Sequence, residues 1–94
     1  MEMLAEAKFL FALDTEGLLK IKAAQNVETP ISLLILLAKD VDETVREEVA
    51  RNAATPAAAL VTLTTDEDEA VRAAAMGTLS IIGVAAQERF LIPA

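Results

Sequence analysis

Neither cysteine nor histidine occurs in this chain of 94 residues. The first absence removes disulfides, thiolate metal sites and iron–sulfur ligation, and the second removes the commonest general acid–base group. A chain without cysteine suits any redox compartment, so that question stays open. Aromatic residues are confined to Phe9, Phe11 and Phe90, and the glycines Gly17, Gly77 and Gly83 are too scattered to cradle a phosphate. Ser32 and Ser80 have no histidine to activate them and no Gly-x-Ser-x-Gly elbow around them. Neither catalysis nor a cofactor is expected. The longest apolar run, Ile31 to Ala38, spans eight residues with Ser32 inside it, whereas a membrane-spanning helix takes about 20. The opening Met1-Glu2-Met3-Leu4 is acidic where a secretory leader would be basic. Together these features predict a cytoplasmic protein with no membrane span.

Basic side chains are also scarce. Eight stand against fifteen acids, for a net charge of −7. Such a field repels a phosphate backbone, so no nucleic-acid partner is expected; a basic protein or a divalent cation would be attracted instead. The plainer role of the charge is to keep an apolar domain dissolved. Apolar residues make up 54% of the chain and alanine occupies 19 positions. Alanine forms helix readily and lets helices approach, but each one buries little area. A single small domain with a thin core follows, and a second chain could help to complete it.

What is present is an echo. Ala24-Gln25-Asn26-Val27-Glu28-Thr29-Pro30 returns as Ala50-Arg51-Asn52-Ala53-Ala54-Thr55-Pro56, and Asp40-Val41-Asp42-Glu43-Thr44-Val45-Arg46 returns as Asp66-Glu67-Asp68-Glu69-Ala70-Val71-Arg72, both 26 residues on. A fainter copy, Asp14-Thr15-Glu16-Gly17-Leu18-Leu19-Lys20, holds the same register, with Leu10, Phe11 and Ala12 aligned to Leu36, Leu37 and Ala38. Beyond the last good copy the slots of Thr55 and Pro56 fall to Ile81 and Ile82. One period shared by several landmarks means stacked structural units, with decay expected at the ends.

Each unit reads as two short helices. Thr29 and Thr55 suit the N-cap, and Pro30 and Pro56 the first helical position. The first helix carries Leu33 to Leu37, or Leu60, Val61 and Leu63. Asp42 or Asp68 then caps a second helix that turns Val45, Val49 and Ala50, or Val71, Ala74 and Ala75, inward. Asn26 and Asn52 stand where that helix should stop, in a residue type that tolerates left-handed backbone. Connections of two to four residues are expected, and strand signals are absent. The helix from Glu69 lacks Thr-Pro punctuation and is expected to run on, with Gly77 and Gly83 as candidate breaks. The predicted architecture is an all-α, short α-solenoid of about three helical-hairpin repeats. It forms one domain over residues 1–94, with an N-terminal capping helix at 1–13, repeats at 14–79 and a C-terminal cap at 80–94.

These landmarks resemble the leucine-rich repeat variant family, whose repeats carry Ala-x-Asn-x-x-Thr-Pro followed by Leu-x-x-Leu-Ala-x-Asp-x-Asp-x-x-Val-Arg. The first full copy matches at Ala24, Asn26, Thr29, Pro30, Leu34, Leu37, Ala38, Asp40, Asp42, Val45 and Arg46. The second keeps Ala50, Asn52, Thr55, Pro56, Leu60, Leu63, Asp66, Asp68, Val71 and Arg72, with Thr64 in place of the alanine. The resemblance implies a right-handed superhelix in which one helix of each pair is often of the tighter 3₁₀ type. Some relatives bind an iron–sulfur centre through a cysteine cluster, which this chain does not have. Asp66 to Leu79 also resembles the second helix of a HEAT-like repeat, though HEAT units run to about 40–47 residues.

The tempting acidic run, Asp66-Glu67-Asp68-Glu69, fails as a calcium loop of EF-hand type. Counted from Asp66, the required glycine falls on Val71 and the required glutamate on Gly77. A helix start facing its own dipole explains these acids better. Arg46 and Arg72 follow Asp42 and Asp68 by four residues, as Lys20 follows Glu16, and could either brace stacked units as a ladder or bind an anion. Lys20 and Lys22 read as a solvated face. Bulky residues at the two ends, Phe9, Phe11, Phe90 and Leu91, suggest either end caps or a homodimer contact. The chain therefore reads as a protein–protein interaction module with an unidentified partner, and Glu43, Glu47, Glu48 and Arg51 are its candidate docking surface. Two other readings stand beside it: an acidic inhibitor that mimics nucleic acid, and an accessory to a redox or iron–sulfur system.

Overall fold

The computed structural model describes residues 17–91, and side-chain surroundings for residues 17–83. The described part is all-helical. Five helices follow one another: α1 Leu18–Gln25, α2 Ile31–Leu37, α3 Glu43–Arg51, α4 Ala57–Leu63 and α5 Glu69–Leu91. Helix α3 packs between α1 and α5; α2 lies against α1 and α3, and α4 against α3 and α5. The starts of α2 and α4, at Ile31 and Ala57, differ by 26 residues, as do those of α3 and α5 at Glu43 and Glu69. The sequence period is thus carried into the element order.

The core follows the expected apolar positions. Leu33, Leu34, Leu37, Val45, Val49, Ala50, Leu60, Leu63, Val71 and Ala75 are buried, and Ala74 is half-buried. Its largest fully buried side chains are only leucine and valine, each worth about 1.5–3 kcal/mol of burial. Ala24, Ala50 and Ala75 are the buried alanines of α1, α3 and α5, so these helices sit close and the core is thin.

Several local expectations are corrected. The connections, residues 26–30, 38–42, 52–56 and 64–68, are each five residues long, because each holds a side-chain-stapled turn as well as a cap. Pro30 and Pro56 occupy the N-cap positions themselves, with extended ψ of 140° and 143° and no side-chain cap. The threonine hydroxyls look backward instead: Thr29 Oγ1 donates to Ala23 O at 2.6 Å and Thr55 Oγ1 to Val49 O at 2.8 Å. They add a second donor to carbonyls at the end of the preceding helix, which also accept Asn26 N at 3.3 Å and Asn52 N at 3.1 Å. Asn26 and Asn52 end α1 and α3 with φ of −87° and −80°, so neither is left-handed. Helices α2 and α4 are α-helices, not of the 3₁₀ type that the family resemblance implied.

Asp42 does cap α3, accepting Thr44 N at 2.8 Å, and Asp68 Oδ1 accepts Val71 N at 3.1 Å. Helix α5 runs on, as expected, and is unbroken through Gly77 and Gly83; residues 80–91, assigned to a C-terminal cap, are its continuation. The expected capping helix at 1–13, with Phe9 and Phe11, lies outside the described residues, as does Glu16. Phe90 and Leu91 end α5, beyond the residues whose side-chain surroundings are described.

Candidate functional site

Two places combine residues in a way that goes beyond filling the core. The first is a ladder of ion pairs. Arg46, on α3, reaches forward to the turn before α5: its Nε donates to Asp66 Oδ2 at 2.8 Å and its Nη2 to Asp66 Oδ1 at 3.1 Å. Nη1 donates to the carbonyls of Asp40 and Val41 at 2.7 and 3.1 Å. One layer earlier, Lys20 Nζ meets Asp40 Oδ2 at 2.9 Å. Base and acid are twenty residues apart in both rungs, within one register. Arg46 therefore braces the neighbouring unit's acid, as the ladder expectation held, and bonds neither carboxylate oxygen of Asp42. Glu67, at 4.0 Å, adds an exposed carboxylate beside the same guanidinium.

The Arg46–Asp66 pair is largely withdrawn from water, with about 10% of each side chain exposed. Burial disfavours the Asp66 carboxylate. The hydrogen bonds from Arg46 and from the Asp68 amide, with the positive field of Arg46 and Arg72, outweigh that and hold its carboxyl below the usual range. The hydrogen bond to Asp66 likewise raises the Arg46 guanidinium further above its ordinary value. The acids here are engaged: Asp40 Oδ1 and Asp66 Oδ1 also accept the amides of Asp42 and Asp68, both at 2.9 Å. Among the described residues no group of three potential ligands converges as a metal site.

A second set of cross-layer bonds accompanies the ladder. Asn52 Nδ2 donates to Ala24 O at 2.7 Å and to Asn26 O at 3.1 Å, while its Oδ1 accepts Ala54 N at 2.8 Å. Thr78, in the same register, donates to Ala50 O at 2.6 Å. Sequence reasoning missed this role. The signal was a polar residue, Asn52 and then Thr78, at one slot of an otherwise apolar stack.

The second place is an apolar groove of about 250 Å³ between α2 and α4, lined by Ile35, Ala38, Pro56, Ala58, Thr62 and Leu63, with Lys39 on its rim. Ile31 and Val61, on the same two helices, are each 57% exposed. The groove arises because α2 is apolar nearly all round: Leu33, Leu34 and Leu37 enter the core, which leaves Ile31, Ile35 and Leu36 outside. Apolar residues on both faces of so short a helix were the signal for this groove. The acidic candidate surface is less available. Glu43 and Arg51 are exposed and Glu47 and Glu48 half-buried. Arg51 Nη2 pairs with Glu47 Oε2 at 2.6 Å within α3, and that hydrogen bond raises the Arg51 guanidinium above its ordinary value.

The described residues are thus all-helical, with in-register ion pairs linking successive helices and an apolar groove along the short ones. Residues 43–68 match the family model described as Leucine rich repeat variant. The match starts at the first residue of α3 and ends at Asp68, so it covers one unit with Arg46, Asn52, Thr55, Pro56 and Asp66 inside it. No curated protein and no solved structure matches the chain.

Proposed function

We propose that this chain is a short right-handed α-solenoid of about three repeats that works as a non-catalytic protein-interaction module, and that the groove between α2 and α4 receives the partner. The observation that carries this reading is the groove itself: walls of Ile35, Ala38, Pro56, Ala58 and Leu63 on two helices that also leave Ile31 and Val61 exposed. Its volume suits one or two aliphatic side chains, and Lys39 on its rim would attract a carboxylate next to them. The favoured partner is therefore a protein segment with a leucine-like anchor beside an acid. The expected surface at Glu43, Glu47, Glu48 and Arg51 draws less support, because Glu47 and Arg51 neutralise each other.

The test is affinity capture from the source cell with wild type, Ala58→Glu, and a Glu47→Ala/Glu48→Ala double variant. A partner held by wild type and the double variant but lost by Ala58→Glu, with unchanged helical circular dichroism, supports the groove. Retention by Ala58→Glu would refute it. A nucleic-acid mimic is the weaker reading, because Asp40, Asp42, Asp66 and Asp68 are engaged in pairs and caps.

A further inference from the structure

The groove between α2 and α4 does not end at its rim. Ala38 and Lys39 line both it and a second depression of about 510 Å³, whose other walls include Val41, Arg46, Asp66 and Glu67. The two cavities thus form one track. It runs from the aliphatic walls of Ile35, Ala58 and Leu63, past Lys39, to the turns before α3 and α5.

The charges along the track fall into two groups. Asp40 is paired with Lys20 and Asp66 with Arg46, and each nitrogen of the Arg46 guanidinium already donates to Asp66 or to a carbonyl. Lys39, by contrast, is exposed and joins no ion pair among the described residues. Glu67 is 91% exposed, and its 4.0 Å from Arg46 Nη2 is too long for a hydrogen bond. One cation and one anion without close partners therefore line the same depression.

The aliphatic end of the track has a size. Ala59 lines the groove, and the residue 26 positions before it is Leu33. Leu33 is buried, at 6% exposure, whereas Ala59 is half-buried. The groove opens where the repeat carries leucine in one copy and alanine in the next, so its space suits one branched aliphatic side chain supplied from outside.

We infer that the partner is a protein segment with three features in order: an aliphatic anchor for the groove, an acid for Lys39 and a base for Glu67. The order follows from the track, because Lys39 lines both cavities and Glu67 only the second. This inference rests on the reading of the groove as a docking site and adds a second subsite and a direction to it. Exposed ion pairs contribute little affinity, but they discriminate: a segment with its charges transposed meets like charge at both places.

The experiment is selection of a random-peptide phage library on the immobilised full chain, followed by titration of the synthetic consensus peptide. Wild type should enrich peptides in which an acid lies between an aliphatic residue and a base. Lys39→Glu should select a base in place of the acid, and Glu67→Lys an acid in place of the base. Each should also weaken the wild-type peptide about two- to fivefold, the size of one exposed ion pair. Ala59→Leu, which fills the groove from within, should select none of these peptides, and Ala58→Glu, with helicity checked by circular dichroism, covers the case in which the leucine turns away. Failure of wild type to enrich any peptide, or enrichment of the same peptides by both groove variants, overturns the groove and this inference together. Peptides with the aliphatic residue and the acid but no base, or an unchanged selection by Glu67→Lys, overturn this inference alone and leave the groove standing.

Discussion

Arg46 makes four hydrogen bonds with a guanidinium that is nearly out of water: two to the Asp66 carboxylate and two to the carbonyls of Asp40 and Val41. Truncating it leaves Asp66 half-buried beside an unfilled space, so Arg46→Ala should cost about 2–3 kcal/mol in urea unfolding. Arg72 keeps only the carbonyl bond to Asp66, and Arg72→Ala should cost about 1 kcal/mol or less. Equal losses would mean that the carboxylate half of the rung contributes nothing. Asn52 offers a second contrast. Buried at 4% exposure, it holds two carbonyls of the preceding layer and one amide of its own turn. Asn52→Ala should cost about 2 kcal/mol, and Asn52→Asp more, since it turns a negative oxygen toward those carbonyls. An aspartate variant as stable as wild type would refute this assignment.

At the scale of the element, glycine separates two situations with one substitution. Gly17 stands before α1 with φ of 74°, and an added Cβ would meet Asp42 Oδ2 only at an ordinary 3.6 Å. The cost there is backbone strain, so Gly17→Ala should lose about 1 kcal/mol. Gly77 lies inside α5 with open space around it; Gly77→Ala should gain about 0.5–1 kcal/mol, read as a higher thermal midpoint. The same scale shows what could be read beforehand. The 26-residue period, the Asp42 and Asp68 caps and the inward valines were legible because each depends on near neighbours in the chain. Thr29, Thr55, Asn26 and Asn52 were correctly marked as helix punctuation and wrongly assigned a mechanism. The threonine hydroxyls bond to carbonyls of the preceding helix and the Asn52 amide to carbonyls of the preceding layer, while Asn26 accepts Glu28 N within its own turn; local pattern does not display these partners. The groove was missed for a similar reason. Ile35 and Val61 count as core by hydropathy, and only the packing of α2 and α4 decides which side of each helix is buried.

For the whole molecule, charge and packing respond to acid at different points. The chain carries −7 near neutrality and its isoelectric point is about 4.4, where the repulsion that keeps molecules apart vanishes. Asp66 is held below the usual carboxylate range in the fold. A depressed folded-state pKa contributes stability that is fully present above the unfolded value, near 4, and is lost as pH falls through the folded one. The Arg46–Asp66 rung should therefore still be intact when the net charge reaches zero. Between about pH 4 and 5 the molecule should be folded, uncharged and still exposing the apolar surface of Ile31, Ile35 and Val61. Light scattering at low salt should peak there while the helical circular dichroism stays at its neutral-pH value, and helicity should fall only at lower pH. Arg46→Ala should shift that loss of helicity to higher pH, because the uncompensated Asp66 then favours its protonated form. Val61→Glu should lower the scattering peak and leave the acid unfolding midpoint in place. Helix loss that precedes the scattering peak would show that the rung fails before the charge does, and would overturn this order of events.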